Sequence, residues 1–143
     1  MVNTTLHTSA TIPSWHSYYA PATPDYPFGL FTFHLTLGSG LNGHPHKLHG
    51  GALGLVIDEV AGRASRLHCS EGKVAFTATM TVDYKKPVDT PGVIVCKSWL
   101  EGRSEGRKHW VRAVVEQEGK VVAEGRCLFL EVPRPPEYAK FML

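Results

Sequence analysis

Residues 52–64 read Ala-Leu-Gly-Leu-Val-Ile-Asp-Glu-Val-Ala-Gly-Arg-Ala, a run that is apolar on nearly every side when wound into a helix. A helix of that kind has to be enclosed by other structure, so the rest of the chain must wrap around it. His49-Gly50-Gly51 opens the run. Two glycines let the chain turn tightly and present bare N–H groups at a helix start, an end that favours a negative or polarised oxygen. Asp58 sits in the middle of the same helix. Its carboxylate must be satisfied by partners or kept for chemistry, because burying an unpaired charge is costly.

The flanking sequence supplies the wrapping. Residues 28–37 alternate, with Phe31, Phe33, Leu35 and Leu37 on one face and Thr32, His34 and Thr36 on the other, which predicts a first strand. The glycine-rich loop after it leads through His44 and His46 into the helix, whose end is expected between Leu67 and Glu71, before Gly72. Residues 74–88 form the clearest strand by alternation. Val74, Phe76, Ala78, Met80, Val82 and Tyr84 face one way, and Ala75, Thr77, Thr79, Thr81, Asp83 and Lys85 the other. Residues 93–101, 108–117 and 120–132 follow as three more strands, the last two joined by a Glu118-Gly119 turn. One strand, one enclosed helix and four strands on short connections predict an α+β domain in which a largely antiparallel sheet of about five strands curls around the helix.

Residues 1–27 carry Trp15, Tyr18, Tyr19 and Tyr26 among four prolines, a density that argues against a long helix or a central strand. They are expected as an extended arm packed on a domain of residues 28–132, or as a lid over a pocket. Residues 133–143 are expected as a tail that leaves the sheet. The net charge of +2, from 15 basic and 13 acidic residues, is too even to point to nucleic acid or a membrane surface. Three widely spaced cysteines with no ligand spacing read as free thiols in a reducing compartment. With neither a leader pattern nor an apolar stretch near the ~20 residues that span a bilayer, the expected location is the cytoplasm.

HGG at a helix start, an aspartate nine residues after the histidine, and the strand Ala75-Phe76-Thr77-Ala78-Thr79-Met80-Thr81-Val82-Asp83-Tyr84-Lys85-Lys86-Pro87 together resemble the hot-dog fold acyl-CoA thioesterases. The likeness is greatest to the phenylacetate-pathway type and its mammalian thioesterase-superfamily relatives. Gly106-Arg107-Lys108 sits where those proteins often carry a Gly-Arg or Gly-Lys turn. The resemblance covers residues 28–132 and implies hydrolysis of an acyl thioester, with coenzyme A or phosphopantetheine entering as part of the substrate and no separate cofactor.

It also implies roles. The Gly51 N–H would polarise the thioester carbonyl, Asp58 would act as general base on water or as nucleophile, and Thr77 would help place the water. His49 would order the loop and touch the carbonyl, or only tie the loop down. Asn42 or His44 would reach the carbonyl as well, beside Gly50, and Lys85, Lys86, Arg107 and Lys108 would suit the substrate's phosphates. Such parts make chemical sense, since acyl transfer needs a group to hold the developing oxyanion and one to take a proton from water. By strict alternation Thr77 shares the polar face, so a bulge or an edge at a subunit seam would have to turn it inward. His44 and His46 raise a metal, but no cysteine or carboxylate set accompanies them and none is expected.

Gly51 and Asp58 are seven residues apart, ~10 Å along a helix axis at 1.5 Å per residue, too far for one carbonyl group to meet both. Two chains packed antiparallel would bring the Gly51 of one to the Asp58 of the other, as in the family's shared sites. A homodimer with two equivalent sites is therefore expected, with pairing of dimers into a tetramer left open. A rival reading keeps the fold and the polarising loop for a non-hydrolytic biosynthetic step on a carbonyl substrate, such as dehydration, cyclisation or isomerisation; a non-catalytic acyl-binding module is a third.

Overall fold

The structure, a computed structural model, describes residues 2–140. The enclosed helix, α1, spans Gly50–Leu67, and its buried face carries Leu53, Val56, Ile57, Val60, Ala61 and Ala64. Around it runs one six-stranded antiparallel sheet. In chain order its strands are β1 (Ser14–Ala20), β2 (Leu30–Leu37), β5 (Lys73–Tyr84), β6 (Gly92–Ser104), β7 (Lys108–Gln117) and β8 (Lys120–Pro133). Across the sheet the order is β1-β2-β6-β7-β8-β5. Two short strands, β3 (Asn42–His44) and β4 (Lys47–Leu48), pair as a separate ribbon just before the helix. The result is the α+β hot-dog architecture.

The core follows from period-two alternation on the concave face. Phe33, Leu35 and Leu37 of β2, Ile94, Cys96 and Leu100 of β6, Val111, Ala113 and Val115 of β7, and Cys127 and Phe129 of β8 are all buried against α1. Gly125 lets the helix approach closely, since a Cβ there would lie 2.5 Å from the Ile57 side chain. Inside this core Ser98 donates its hydroxyl to the Val60 carbonyl at 2.7 Å.

Two sequence expectations change. The sheet has six strands rather than about five, because the Pro-rich arm contains β1, which pairs in register with β2 from Ser14↔Thr36 to Ala20↔Leu30. Trp15 and Tyr19 pack on Phe33 and Phe31 at 5.8 and 4.9 Å between ring centroids. β1 is an edge strand at the opposite side of the sheet from β5, as its flanking prolines allow, and so it does not lie over the helix stripe that bears Asp58. Second, α1 is not covered all round by its own chain. Gly51, Leu55, Asp58, Gly62 and Arg66 form a stripe at helical spacing that stays half-buried or exposed.

β5 realises one of the two ways expected to turn Thr77 inward. Its pairing with β8 shifts register between Thr77 and Thr79, leaving Ala78 as an extra residue. This is a β-bulge. Thr77 stands opposite buried Phe129, whereas beyond the bulge it is Met80 that stands opposite buried Cys127. The inward positions are thus Ala75 and Thr77 before Ala78, then Met80, Val82 and Tyr84 after it, and no single face of alternation holds for the whole strand.

Candidate active site

His49 turns the chain into α1. Its backbone is extended, at φ −63° and ψ 133°, and its ring caps the helix, Nδ1 accepting the Gly51 N–H at 2.9 Å. The β3–β4 ribbon closes on this cap: a Cβ on Gly43 would stand 3.0 Å from the His49 ring, and the His49 N–H donates to the Leu41 carbonyl at 2.8 Å. From the other side the Tyr84 hydroxyl donates to the Gly50 carbonyl at 2.7 Å. The first turn of the helix is therefore held from two directions while Gly50 and Gly51 remain exposed. A substrate carbonyl at Gly51 would share its N–H with the His49 ring or replace the ring.

Asp58 lies two turns further on, on the open stripe. The Thr77 hydroxyl donates to Asp58 Oδ1 at 2.7 Å. Thr77 shares the inward face of its partner Phe129, and the bulge at Ala78 bends the strand there while Met80 and the residues beyond also face inward. Asp58 and Thr77 border a cavity of about 650 Å³ that follows the C-terminal half of α1 past Gly62 and Arg66 to Cys69 and Ser70, with Arg134 and Tyr138 of the tail at its far end.

Among the other residues singled out in the sequence, Asn42 accepts a short hydrogen bond from the Thr90 hydroxyl, and His44 is exposed on the ribbon. The four basic residues do not form one group. Lys85 and Lys86 follow Tyr84 and border the helix start with Gly50. Arg107 and Lys108 sit at the β6–β7 turn, where the Arg107 carbonyl accepts the Glu131 N–H at 2.8 Å and Lys108 pairs with Glu105 at 2.9 Å. An 18-residue helix, ~27 Å long, separates these two ends of the molecule.

A buried polar network that the sequence reading missed backs the far end of the cavity. Glu131 Oε1 accepts from the Ser70 N–H at 3.0 Å, from Arg103 at 3.0 Å and from His109 Nε2 at 2.9 Å, while His109 Nδ1 lies 2.9 Å from the Ser65 hydroxyl. Burial works against the Glu131 charge, but the Ser70 hydrogen bonds and His109 outweigh it and hold the carboxyl below its usual range. Burial pushes His109 down despite the carboxylate beside it. A neutral ring facing an acceptor-only carboxylate carries its proton on Nε2, so Nδ1 accepts from Ser65. Cys69, His109 and Glu131 are the one set of described residues whose ligand atoms are close enough to share an ion, within 4.8 Å of one another. Yet Nε2 already carries a proton, and Arg103 and Lys73 already balance the carboxylate. The signal for this network was present in β8, where Glu131 continues the inward series of Cys127 and Phe129.

A family model for the thioesterase superfamily matches residues 46–123. The mouse acyl-coenzyme A thioesterase THEM4 is 36% identical over 102 residues, which are 69% of this chain and 42% of that protein. The chain thus spans about two fifths of the length of the curated relatives it matches. A Haemophilus influenzae thioesterase superposes with a TM-score of 0.68 at 14% identity, covering 82% of this chain and 78% of that one. A Bacillus halodurans protein crystallised with CoA gives 0.65 at 20% identity, covering 71% and 66%. At such identities the structural likeness is one of fold. The family match, in contrast, begins in the ribbon before the His49 cap and runs into β8, so that it contains both the cap and the Asp58–Thr77 pair; the chain belongs to the thioesterase superfamily.

Proposed function

We propose that the chain hydrolyses an acyl thioester carried on coenzyme A or a phosphopantetheine arm, with Asp58 as the general base. The observation that carries this is the Thr77–Asp58 hydrogen bond on the wall of a cavity. Thr77 fixes one carboxylate oxygen, and the other takes a proton from water as that water adds to the thioester carbon. The helix-start N–H of Gly51 holds the oxyanion that forms. Collapse of the adduct breaks the C–S bond, and the proton held by Asp58 goes to the leaving thiolate. The reaction written this way calls on water, the Asp58 and Thr77 side chains and the Gly51 N–H.

Two chains complete each site in this reading. Gly51 and Asp58 of one helix are ~10 Å apart along its axis, and two surfaces favour a second copy. One is the open stripe of α1 around Asp58. The other is the long edge strand β5, which exposes Phe76, Met80 and Tyr84 at 48%, 38% and 53%, more apolar surface than an unpaired edge normally shows. Antiparallel packing of two such chains brings the Lys85–Lys86 end of one toward the Asp58 side of the other, where the substrate's phosphates would pass. A cytoplasmic location accords with three unpaired cysteines; no helix among the described residues is long and apolar enough to cross a membrane.

The test is thiol release from a panel of short, long and aryl acyl-CoAs, with light scattering on the same sample. A dimer that turns over at least one thioester, and loses ~10²–10⁴ of that rate in Asp58→Asn, is the expected result. A folded dimer inert on every thioester would overturn it.

A further inference from the structure

The cavity beside Asp58 has chemistry of its own at the end away from the carboxylate. Along its wall Glu59 is matched by Arg63 and Arg66 at 3.8 and 3.6 Å, and behind it Glu131 is matched by Arg103 and Lys73 at 3.0 and 3.8 Å. What remains at the far end is Arg134, which has no ion-pair partner among the described residues, and the Tyr138 hydroxyl, which has no hydrogen-bond partner there. Glu71 and Glu137 are unmatched acids close by in the chain, both exposed, as is Arg134. Arg66 and Lys73 are already matched, so the cationic group left to meet a ligand at this end is the Arg134 guanidinium.

Its distance from the reacting centre follows from the strand. From Thr77, bonded to Asp58, to Lys73 is four residues of β5, ~13 Å at about 3.3 Å per residue, and the Arg134 N–H bonds to the Gly72 carbonyl at 2.9 Å, just past Lys73. An alkyl chain filling the cavity would desolvate a guanidinium and a phenol without pairing either.

We propose that this cavity holds the substrate as it extends from the reacting carbon, and that Arg134 and Tyr138, backed by Lys73, take an anionic group carried ~13 Å away. The inference rests on Asp58 marking the reacting centre. Two parts of a thioester can present such a group at that distance: the pyrophosphate beyond a pantetheine arm, or a carboxylate at the far end of the acyl chain. Guanidinium and phenol recognise both through the same charge-assisted hydrogen bonds.

Four thioesters separate them: a medium-length acyl group and its ω-carboxy counterpart, each on coenzyme A and on N-acetylcysteamine, which lacks phosphates. Arg134→Gln is expected to raise KM roughly tenfold more for the anion-bearing member of one pair than for its neutral counterpart, with Tyr138→Phe moving the same way by less. A selective rise on CoA assigns the site to the pyrophosphate, and one on the ω-carboxy chain to the acyl terminus. Changes equal to within about twofold across all four overturn the proposal.

A second readout does not depend on turnover. Cys69 lines the cavity and is partly exposed, whereas Cys96 and Cys127 are buried. Maleimide labelling of Cys69 should be slowed by desulfo-CoA, which lacks the thiol that would consume the reagent, or by a free medium-chain dicarboxylate in the wild type and not in Arg134→Gln. Protection with no turnover on any thioester would retire the hydrolase reading and keep the binding site. Absence of protection by either probe overturns the site itself.

Discussion

The Thr77 hydroxyl reaches from β5 across to α1 and donates to Asp58 Oδ1 at 2.7 Å. A carboxylate so fixed keeps one oxygen aimed, and the bond is made to a charged acceptor, the stronger class. Thr77→Val preserves shape and removes only the donor. It should lower kcat roughly tenfold to a hundredfold, the equivalent of about 1.5–3 kcal/mol, while Thr77→Ser should recover most of the loss. Thiol-release kinetics on the three proteins decide the matter; an unchanged kcat in the valine variant would make the pair structural.

His49 joins the helix cap to the carbonyl-binding turn through its Nδ1 contact with the Gly51 N–H. Removing the ring in His49→Ala frees that N–H but strips the cap, with an expected loss of about 0.5–2 kcal/mol in a denaturant titration. His49→Asn can still accept the N–H and should be closer to wild type in stability. If the alanine variant matched wild type in stability, the ring would not be acting as a cap.

Acid should weaken the fold in two stages. His109 is buried with its proton affinity lowered, so as pH falls through about 6.5 the unfolded chain takes up a proton before the native one does. The stability it contributes is full above that pH and is lost as pH falls toward the native value. Glu131 is also held below its ordinary value of 4.5, so its contribution is full above about 4.5 and lost below. Melting temperatures between about pH 7.5 and 5 should fall in the wild type. They should be flatter, though lower throughout, in His109→Phe, which leaves Ser65 and Glu131 short of a partner. An equal slope in both proteins would remove His109 from the account.

Gly125→Ala tests how tightly the sheet grips the helix. The added Cβ would lie 2.5 Å from Ile57 Cγ2, which is fully buried and has no room to yield. A destabilisation of about 1–3 kcal/mol is expected, read by thermal or urea unfolding. A neutral effect would mean that α1 can shift on the sheet.

Alternation alone predicts β2, β6, β7 and β8 to within a few residues, because each buries one face and that face is spelled out every second position. β1 escapes it. Its flanking prolines and mixed aromatic sequence look the same in an arm and in an edge strand, and its pairing partners, from Ala20↔Leu30 to Ser14↔Thr36, lie across a loop that no short turn motif marks. Asp58 is legible because a charge inside an apolar helix must be explained, and His49 because two glycines follow it. The bulge is legible only as one of two ways to turn Thr77 inward, and its position is not, since neither glycine nor proline marks Ala78. The far end of the cavity is hidden for a different reason, since Arg134 and Tyr138 lie in a proline-rich tail with no period to place them.

Ala78 itself is dispensable for pairing. With it gone, the registered pairs on either side, Thr77↔Phe129 and Thr79↔Leu128, would join into an unbroken ladder, and every residue beyond would keep its partner. What would vanish is the local twist and bend that a bulge brings, and with them the aim of the Thr77 hydroxyl. Ala78 therefore acts as a spacer whose presence matters more than its chemistry: serine or glycine should serve in its place, whereas a deletion would leave a well-formed strand with its hydroxyl misdirected.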